Sequence, residues 1–132
     1  MLKLTRRTEY ALIAIRYMQS KPGAKVTTAK EISDQYIIPF EILSKVLQFL
    51  AKMEIIEPVH GPNGGYQIKR DLSHLSLWEF LEIMEGPLGL ADCFLDADCT
   101  QLNFCNIRTP IQQINNKMKT IFSKMSVNDV TQ

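Results

Sequence analysis

Residues 28 to 68 read TAKEISDQYIIPFEILSKVLQFLAKMEIIEPVHGPNGGYQI, and this stretch decides the fold. Thr28 can accept a hydrogen bond from the amide three residues on while Glu31 reaches back, which is the capping box that begins a helix. We therefore predict a short helix over residues 29 to 36. Pro39 fits the first position of a second helix. An apolar stripe predicts that this second helix packs on a core: Leu43, Val46, Leu47, Leu50 and Met53.

Two short strands are predicted directly after this helix pair. Residues 55 to 59 and 66 to 69 are strand-forming runs, and the glycines of HGPNGG between them permit the positive φ angles of a tight hairpin. Many all-α cores contain such a helix pair, but a hairpin that follows it is typical of a winged helix-turn-helix. In that layout the second helix of the pair enters the major groove of DNA.

Helices are also predicted on both sides of the decisive stretch. Apolar residues recur at helical spacing from about residue 5 to residue 18, and this first helix ends before Lys21-Pro22-Gly23. After a linker over residues 71 to 76, Ser76 can cap a helix that ends at Gly86-Pro87. The fold class is therefore mainly α with a small β-hairpin wing.

A long last helix is predicted to begin near Thr109-Pro110. Its apolar residues follow the a/d heptad rhythm of a seam against another helix, and six matched positions favour a seam between two subunits over packing on the chain's own core. Residues 126 to 132 are polar and are expected to fray. The apolar positions of the seam are Ile107, Ile111, Ile114, Met118, Ile121 and Met125.

Charge divides the chain near residue 70. Residues 1 to 70 hold 11 Lys and Arg against 6 Asp and Glu, whereas residues 71 to 132 hold 4 against 8. We expect a DNA-binding domain over residues 1 to 70, a linking helix and cysteine loop over 71 to 106, a dimerisation helix over 107 to 126, and a tail over 127 to 132. The absence of a signal-peptide pattern and of a long apolar run predicts a cytoplasmic protein that does not enter a membrane.

All of the cysteines lie in the stretch DCFLDADCTQLNFC, at Cys93, Cys99 and Cys105. Thiols six residues apart point in different directions around a helix, and the aspartates among them disfavour a strand, so a loop wrapped around some other group is the better interpretation. Inert buried thiols are the simpler alternative. Zinc is a weaker rival, because compact zinc sites use shorter gaps and the loop has no histidine.

The order of these motifs resembles the Rrf2 family of winged-helix bacterial transcription regulators, whose members include the cluster regulator IscR, the nitric-oxide-sensing repressor NsrR and the iron-responsive RirA. The resemblance covers nearly the whole chain. It rests on LTRRTEYAL at residues 4 to 12, GPNGGYQI at 61 to 68 and the C-x5-C-x5-C loop.

The resemblance implies that the three cysteines hold an iron-sulfur cluster. Where one branch of the family has a histidine ligand of a 2Fe-2S cluster, this chain has Arg108, which cannot ligate. In another branch a carboxylate on the first helix of the partner subunit completes a 4Fe-4S cluster, and the matching residue is Glu9. A 4Fe-4S cluster is therefore favoured over 2Fe-2S, with Asp98 or solvent as alternatives to Glu9. The wing begins His60-Gly61 instead of the usual Arg-Gly, so an arginine contact is not expected there.

These observations predict a homodimeric, DNA-binding transcription regulator, a repressor of palindromic operators, controlled by a cluster that senses nitric oxide, redox state or iron. A cluster-free regulator that senses oxidants or a metabolite through cysteine chemistry is the alternative, and a winged-helix protein-interaction module is the alternative of another class. No set of nucleophile and base suggests an enzyme. The expected DNA contacts are Lys3, Arg6, Arg7, Thr28, Ser44, Lys45, Gln48, His60 and Asn63.

Overall fold

The architecture is known from a computed structural model that describes residues 3 to 21, 26 to 89 and 106 to 132. Three helices come first, α1 (Arg6–Ser20), α2 (Ala29–Tyr36) and α3 (Phe40–Lys52), followed by a hairpin of β1 (Ile56–Val59) and β2 (Gly65–Ile68). The rest comprises a 3-10 turn (Leu72–His74), α4 (Leu77–Glu85), α5 (Arg108–Lys124) and α6 (Val127–Thr131). The predicted mainly α class with a hairpin wing is confirmed.

Hydroxyl side chains begin four of these helices. Each accepts a hydrogen bond from the amide three residues on, which satisfies one of the backbone donors left free at a helix start. The caps are Thr5 for α1, Thr28 for α2, Ser76 for α4 and Ser126 for α6.

Two local predictions at α3 need correction. Pro39 is the N-cap of α3 and not its first helical residue. It makes no side-chain hydrogen bond that would cap the helix. Met53 ends the helix and is 37% exposed, so it does not extend the buried stripe. The helix nevertheless buries the rest of that stripe as predicted.

The C-terminal tail differs from the prediction. Instead of fraying, residues 127 to 131 form α6, which begins with a complete capping box between Ser126 and Asp129. Val127 is fully buried, and the hydroxyl of Thr131 donates to Oε1 of Gln19 over 2.6 Å. A helix of one and a half turns is unstable alone, and docking against α1 supplies the stability that its sequence lacks.

One hydrophobic core contains residues from every described helix except α5. Helix α1 lies at its centre, because Ala11, Ala14 and Ile15 are fully buried and α3 packs beside them. The predicted linker also contributes, since Leu72 and Leu75 of the 3-10 region are buried. Residues on both sides of residue 70 therefore contribute to the same core.

The hairpin is tied to the helix pair by the chain that precedes α2. Thr27 and Tyr66 exchange backbone hydrogen bonds of 2.9 and 2.8 Å, which adds a third short segment beside β2. A Cβ at Gly65 would lie 2.6 Å from the carbonyl oxygen of Thr27, so only glycine permits this approach. Within the turn, the positive φ is at Gly61, and Asn63 keeps a negative one.

Among the described residues, no helix has the length and apolar character to span a bilayer.

Candidate nucleic-acid interface

The outer face of α3 is polar and open to solvent. Glu41, Lys45, Gln48 and Lys52 are exposed, and their spacing of four, three and four residues places them on one side of the helix. Ser44 is half-buried at the edge of that face. Of the three predicted base contacts, Lys45 and Gln48 therefore point outward, while Ser44 lies at the flank.

The turn between α2 and α3 contains an unusual backbone. Ile37 has φ 54° and ψ 48°, the left-handed conformation that β-branched residues rarely adopt, and its side chain is 91% exposed. Ser33 holds the turn, because its hydroxyl donates to the carbonyl of Ile38 over 2.6 Å and its carbonyl accepts from the Ile38 amide. Phe40, which follows at the start of α3, is 53% exposed. The turn thus presents apolar side chains beside the polar face of α3, a feature that sequence reasoning missed.

The wing contributes two of the predicted contacts. His60 and Asn63 lie in the turn between β1 and β2 and are exposed. The amide of Gly64 donates to the carbonyl of Gly61 over 3.0 Å, which closes the turn. The hydrogen bonds between Tyr66 and Thr27 join β2 of the wing to the residue just before the cap of α2.

The two arginines at the start of α1 have different surroundings. Arg6 is 82% exposed at its side chain and donates to Glu9 over 3.2 Å, a weak surface pair that leaves it accessible. Arg7 instead donates to the carbonyl of Met84 over 3.4 Å, and its guanidinium lies 3.9 Å from the ring centroid of Phe49. Arg7 therefore joins the end of α4 to α3, and because it is also exposed, its phosphate contact stays a prediction.

Two other predicted contacts lie at helix starts. Thr28 is exposed, and its hydroxyl accepts from the amide of Glu31 over 3.1 Å, which leaves the hydroxyl proton available to an outside acceptor. Lys3 is exposed just before α1. Both are basic or polar groups that a phosphate could contact.

A half-buried ion pair between Lys21 and Glu31 joins the end of α1 to α2. Burial raises the pKa of the Glu31 carboxyl, but hydrogen bonds from Lys21 and Tyr17 outweigh it and hold the pKa below its ordinary value. The hydroxyl of Tyr17 donates to Glu31 over 2.5 Å, and this bond, with burial, raises the pKa of Tyr17 to about 12. The backbone amide of Thr28 also lowers the pKa of Glu31, as the predicted capping box requires, and the same carboxylate joins α2 to α1.

A second carboxylate joins α4 to the start of α1. Glu85 accepts from the amide of Thr5 over 3.1 Å, from its hydroxyl over 2.8 Å, and from the hydroxyl of the fully buried Thr8. Burial raises the pKa of Glu85, but these hydrogen bonds and the charge of Arg7 together hold the pKa below its ordinary value of 4.5.

This depressed pKa predicts how stability depends on pH. The Glu85 carboxylate should stabilise the fold fully above pH 4.5 and lose that effect as the pH falls through its folded-state pKa. We expect Glu85→Gln to lower the free energy of unfolding by about 1 kcal/mol at pH 7 and to flatten its decline below pH 4.5. Urea denaturation between pH 3 and 7 measures both effects. Glu82→Gln, exposed on the same helix, is the control; an equal effect from it would contradict the assignment.

Of the residues predicted to hold the cluster, Glu9 is the one that the structure describes. Cys93, Cys99 and Cys105 lie outside the described residues, and so does Asp98. Within the described ranges, no cluster of His, Cys, Asp and Glu could hold a metal. Glu9 is 42% exposed at its side chain, and its only partner given by the described residues is the surface pair with Arg6. Its carboxylate is therefore accessible to a group brought by another molecule.

A cavity of about 540 Å³ lies between α1, α4 and α5. Apolar side chains form most of its wall, including Leu12, Leu81 and Phe122, and Lys3 and Glu85 add one charge of each sign. The volume falls within the range of small-molecule sites.

Comparison with known proteins shows to which family the chain belongs. The model of the Rrf2 family, an iron-dependent transcriptional regulator, matches residues 4 to 132. The chain belongs to the Rrf2 family. The predicted family is thereby confirmed, and the chain is a DNA-binding transcriptional regulator and not an enzyme.

Two curated proteins are similar to this chain. The chain is 26% identical over 131 residues to Protein aau3 of Rhizobium meliloti (strain 1021), covering 98% of this chain and 84% of that protein. It is 31% identical over 93 residues to the HTH-type transcriptional regulator NsrR of Shouchella clausii (strain KSM-K16), covering 70% of this chain. That second match spans 62% of the NsrR protein, less than two thirds of its length.

Solved structures share the Rrf2 fold at low identity. CymR (YrzC), the global cysteine regulator of B. subtilis, superposes with a TM-score of 0.77 at 18% identity, over 99% of this chain and 97% of CymR. IscR of T. potens gives a TM-score of 0.73 at 16% identity, over 98% of this chain and 85% of IscR. These likenesses establish the winged-helix fold alone.

Proposed function

We propose that this Rrf2 protein is a homodimer that represses transcription by binding a palindromic duplex operator and whose affinity for DNA is set by an iron-sulfur cluster. The observation that carries the DNA part is the polar outer face of α3 beside a wing bonded to the same helix pair. Lys45 and Gln48 face the base edges, Ser44 lines the flank, and the wing residues His60 and Asn63 lie over the backbone.

The DNA part predicts a particular response to salt and to mutation. The logarithm of the binding constant should fall with the logarithm of salt concentration, with a slope of about −0.9 per phosphate neutralised. Lys45→Ala or Gln48→Ala should relax sequence preference, because each removes a base contact. Arg6→Ala should instead weaken binding to all sequences similarly. Selection from genomic DNA with apo and anaerobically prepared protein tests this, and enrichment of no palindromic site by either form would sink the proposal.

The dimer part rests on α5. No residue of this helix is buried within the chain, and Ile107, Ile114 and Ile121 are 51%, 57% and 58% exposed. These three residues are seven apart and form one apolar stripe, whereas Met118 and Phe122 turn toward α4. An exposed isoleucine stripe along a 17-residue helix fits a symmetric contact with a second copy of α5.

The cluster part assigns Cys93, Cys99 and Cys105 as thiolate ligands and Glu9 of the second subunit as the remaining ligand. Bound there, an iron-sulfur cluster supplies a redox-active centre that nitric oxide or oxidants can attack. The position of Glu9 on the first turn of α1 and its accessible carboxylate support this assignment. A carboxylate is a harder donor than thiolate, so it is the most exchangeable ligand of such a set.

The chain's own contacts offer a route from the cysteine segment to α3. The described chain before that segment ends at residue 89, shortly after Met84 and Glu85. Glu85 holds the start of α1, and Arg7 joins the carbonyl of Met84 to the ring of Phe49 in α3. A displacement at the end of α4 therefore reaches α3 through one side chain.

The cluster-free regulator remains a second candidate, because of the cavity between α1, α4 and α5. Its apolar wall with Lys3 and Glu85 suits a small amphipathic metabolite, and the fold is that of CymR, a cysteine regulator. Iron and sulfide analysis of protein prepared anaerobically separates the two candidates. About four irons and four sulfides per chain support the 4Fe-4S proposal, about two of each support 2Fe-2S, and none of either favours the metabolite.

A further inference from the structure

We infer that Glu41 determines sequence specificity by accepting a hydrogen bond from the N4 amino group of a cytosine in the major groove. The inference rests on the proposed DNA-binding function and deepens it. Glu41 is exposed on the outer face of α3, one turn before Lys45 and two turns before Gln48. It is the residue of that face nearest the start of the helix.

The position of Glu41 places it at bases and away from phosphates. In helix-turn-helix complexes the N-terminal residues of the recognition helix contact base edges. Glu41 is the second residue of α3, directly after Phe40. A carboxylate in this first turn is thus carried deepest into the groove, where its negative charge is costly unless a donor meets it.

No described residue neutralises that carboxylate. None of the described lysines or arginines forms an ion pair with Glu41, although Lys45 is placed four residues on. An acid at this position also stabilises the helix dipole, and α3 lacks a side-chain cap because Pro39 precedes it. The dipole explains why an acid is tolerated in the first turn, but leaves open what it meets in the groove.

The chemistry of the groove selects cytosine. The donors on the major-groove edges are the amino groups of cytosine N4 and adenine N6, and adenine carries the N7 acceptor directly beside its donor. A carboxylate only accepts, so it is repelled by that N7 and by the O6 and N7 acceptors of guanine. Cytosine N4 is the partner that remains. Phe40, the exposed residue directly before Glu41, suits the methyl group of a neighbouring thymine.

The test compares base preferences of the full chain, prepared anaerobically and as apoprotein, by selection from random duplexes. Wild-type protein should enrich one cytosine per half-site, with a preference of about 5- to 150-fold over other bases. Glu41→Ala should abolish the preference at that position alone, and Glu41→Gln should move it to adenine, which a carboxamide contacts through N6 and N7. Glu82→Gln, which removes an exposed charge on α4, should change no position.

Three outcomes decide the matter. A motif that keeps its cytosine in Glu41→Ala, with affinity raised equally for all sequences, would show that Glu41 only repels phosphates and would overturn the inference alone. Loss of preference at every position together with a lowered melting temperature would point to the helix dipole and would also overturn it. Enrichment of no motif by wild-type protein would overturn the proposed function and the inference together.

Discussion

Ile114→Asp is expected to leave the subunit folded and to convert the dimer into monomers. Ile114 is 57% exposed in the isolated chain, so the substitution removes little from the subunit's own core. In the proposed seam it would bury an unpaired carboxylate on each side, at a cost of several kcal/mol. The dimer dissociation constant should rise on the order of a thousandfold, since each 1.4 kcal/mol is a factor of ten.

Sedimentation velocity measures the oligomeric state, and circular dichroism shows whether the subunit stays folded. Gln113→Asp is the matched control, because it places the same charge one residue away at an exposed position off the stripe. Binding to a palindromic operator should collapse with Ile114→Asp and survive in Gln113→Asp. A dimer that persists with Ile114→Asp would mean that the subunits associate through another surface.

Cys99→Ser is expected to abolish assembly of the proposed iron-sulfur cluster, whereas Glu9→Ala should allow assembly and shorten the lifetime of the cluster. The physical reason is the strength of the two ligands, since thiolate holds cluster iron and a carboxylate is exchangeable. We expect little or no bound iron or sulfide with Cys99→Ser. Glu9→Ala should lose its visible absorption faster in air and lose signal-dependent DNA binding.

Arg6→Ala controls for the position of Glu9. Arg6 pairs with Glu9 over 3.2 Å, so its removal tests whether disturbing the start of α1 is enough to shorten the lifetime. A lifetime unchanged by Glu9→Ala but altered by Asp98→Ala would assign the carboxylate ligand to the cysteine segment itself. The assignment of the three cysteines would then be kept, and the proposed ligand from the second subunit would be rejected.

Local sequence signals predicted the elements whose causes are local. Helix α2 has the predicted bounds, because Thr28 and Glu31 mark its start. The same signal was present for α6, where Ser126 and Asp129 form a capping box. It was overlooked since the segment has too few apolar residues to show a period, and its stability comes from contacts with Gln19.

Features that depend on distant partners could not be predicted. The contact of Arg7 with Met84 joins residues 77 positions apart, so no local pattern in the sequence indicates it. The conformation of Ile37 was missed for the opposite reason, since propensity argues against a left-handed isoleucine. The candidate DNA face was predictable in outline, because the exposed positions of α3 follow directly from its buried stripe.

The bond between residue 27 and β2 has a consequence for how such a regulator could be switched. Thr27 and Tyr66 lock the wing to the helix pair, and Gly65 lets the two backbones approach closely. We therefore expect the wing and α3 to move together as one DNA-binding unit that contacts the same half-site sequence in either state. In a dimer, the distance and the angle between the two DNA-binding units can still change. A signal would then leave the half-site sequence unchanged and alter the number of base pairs preferred between half-sites.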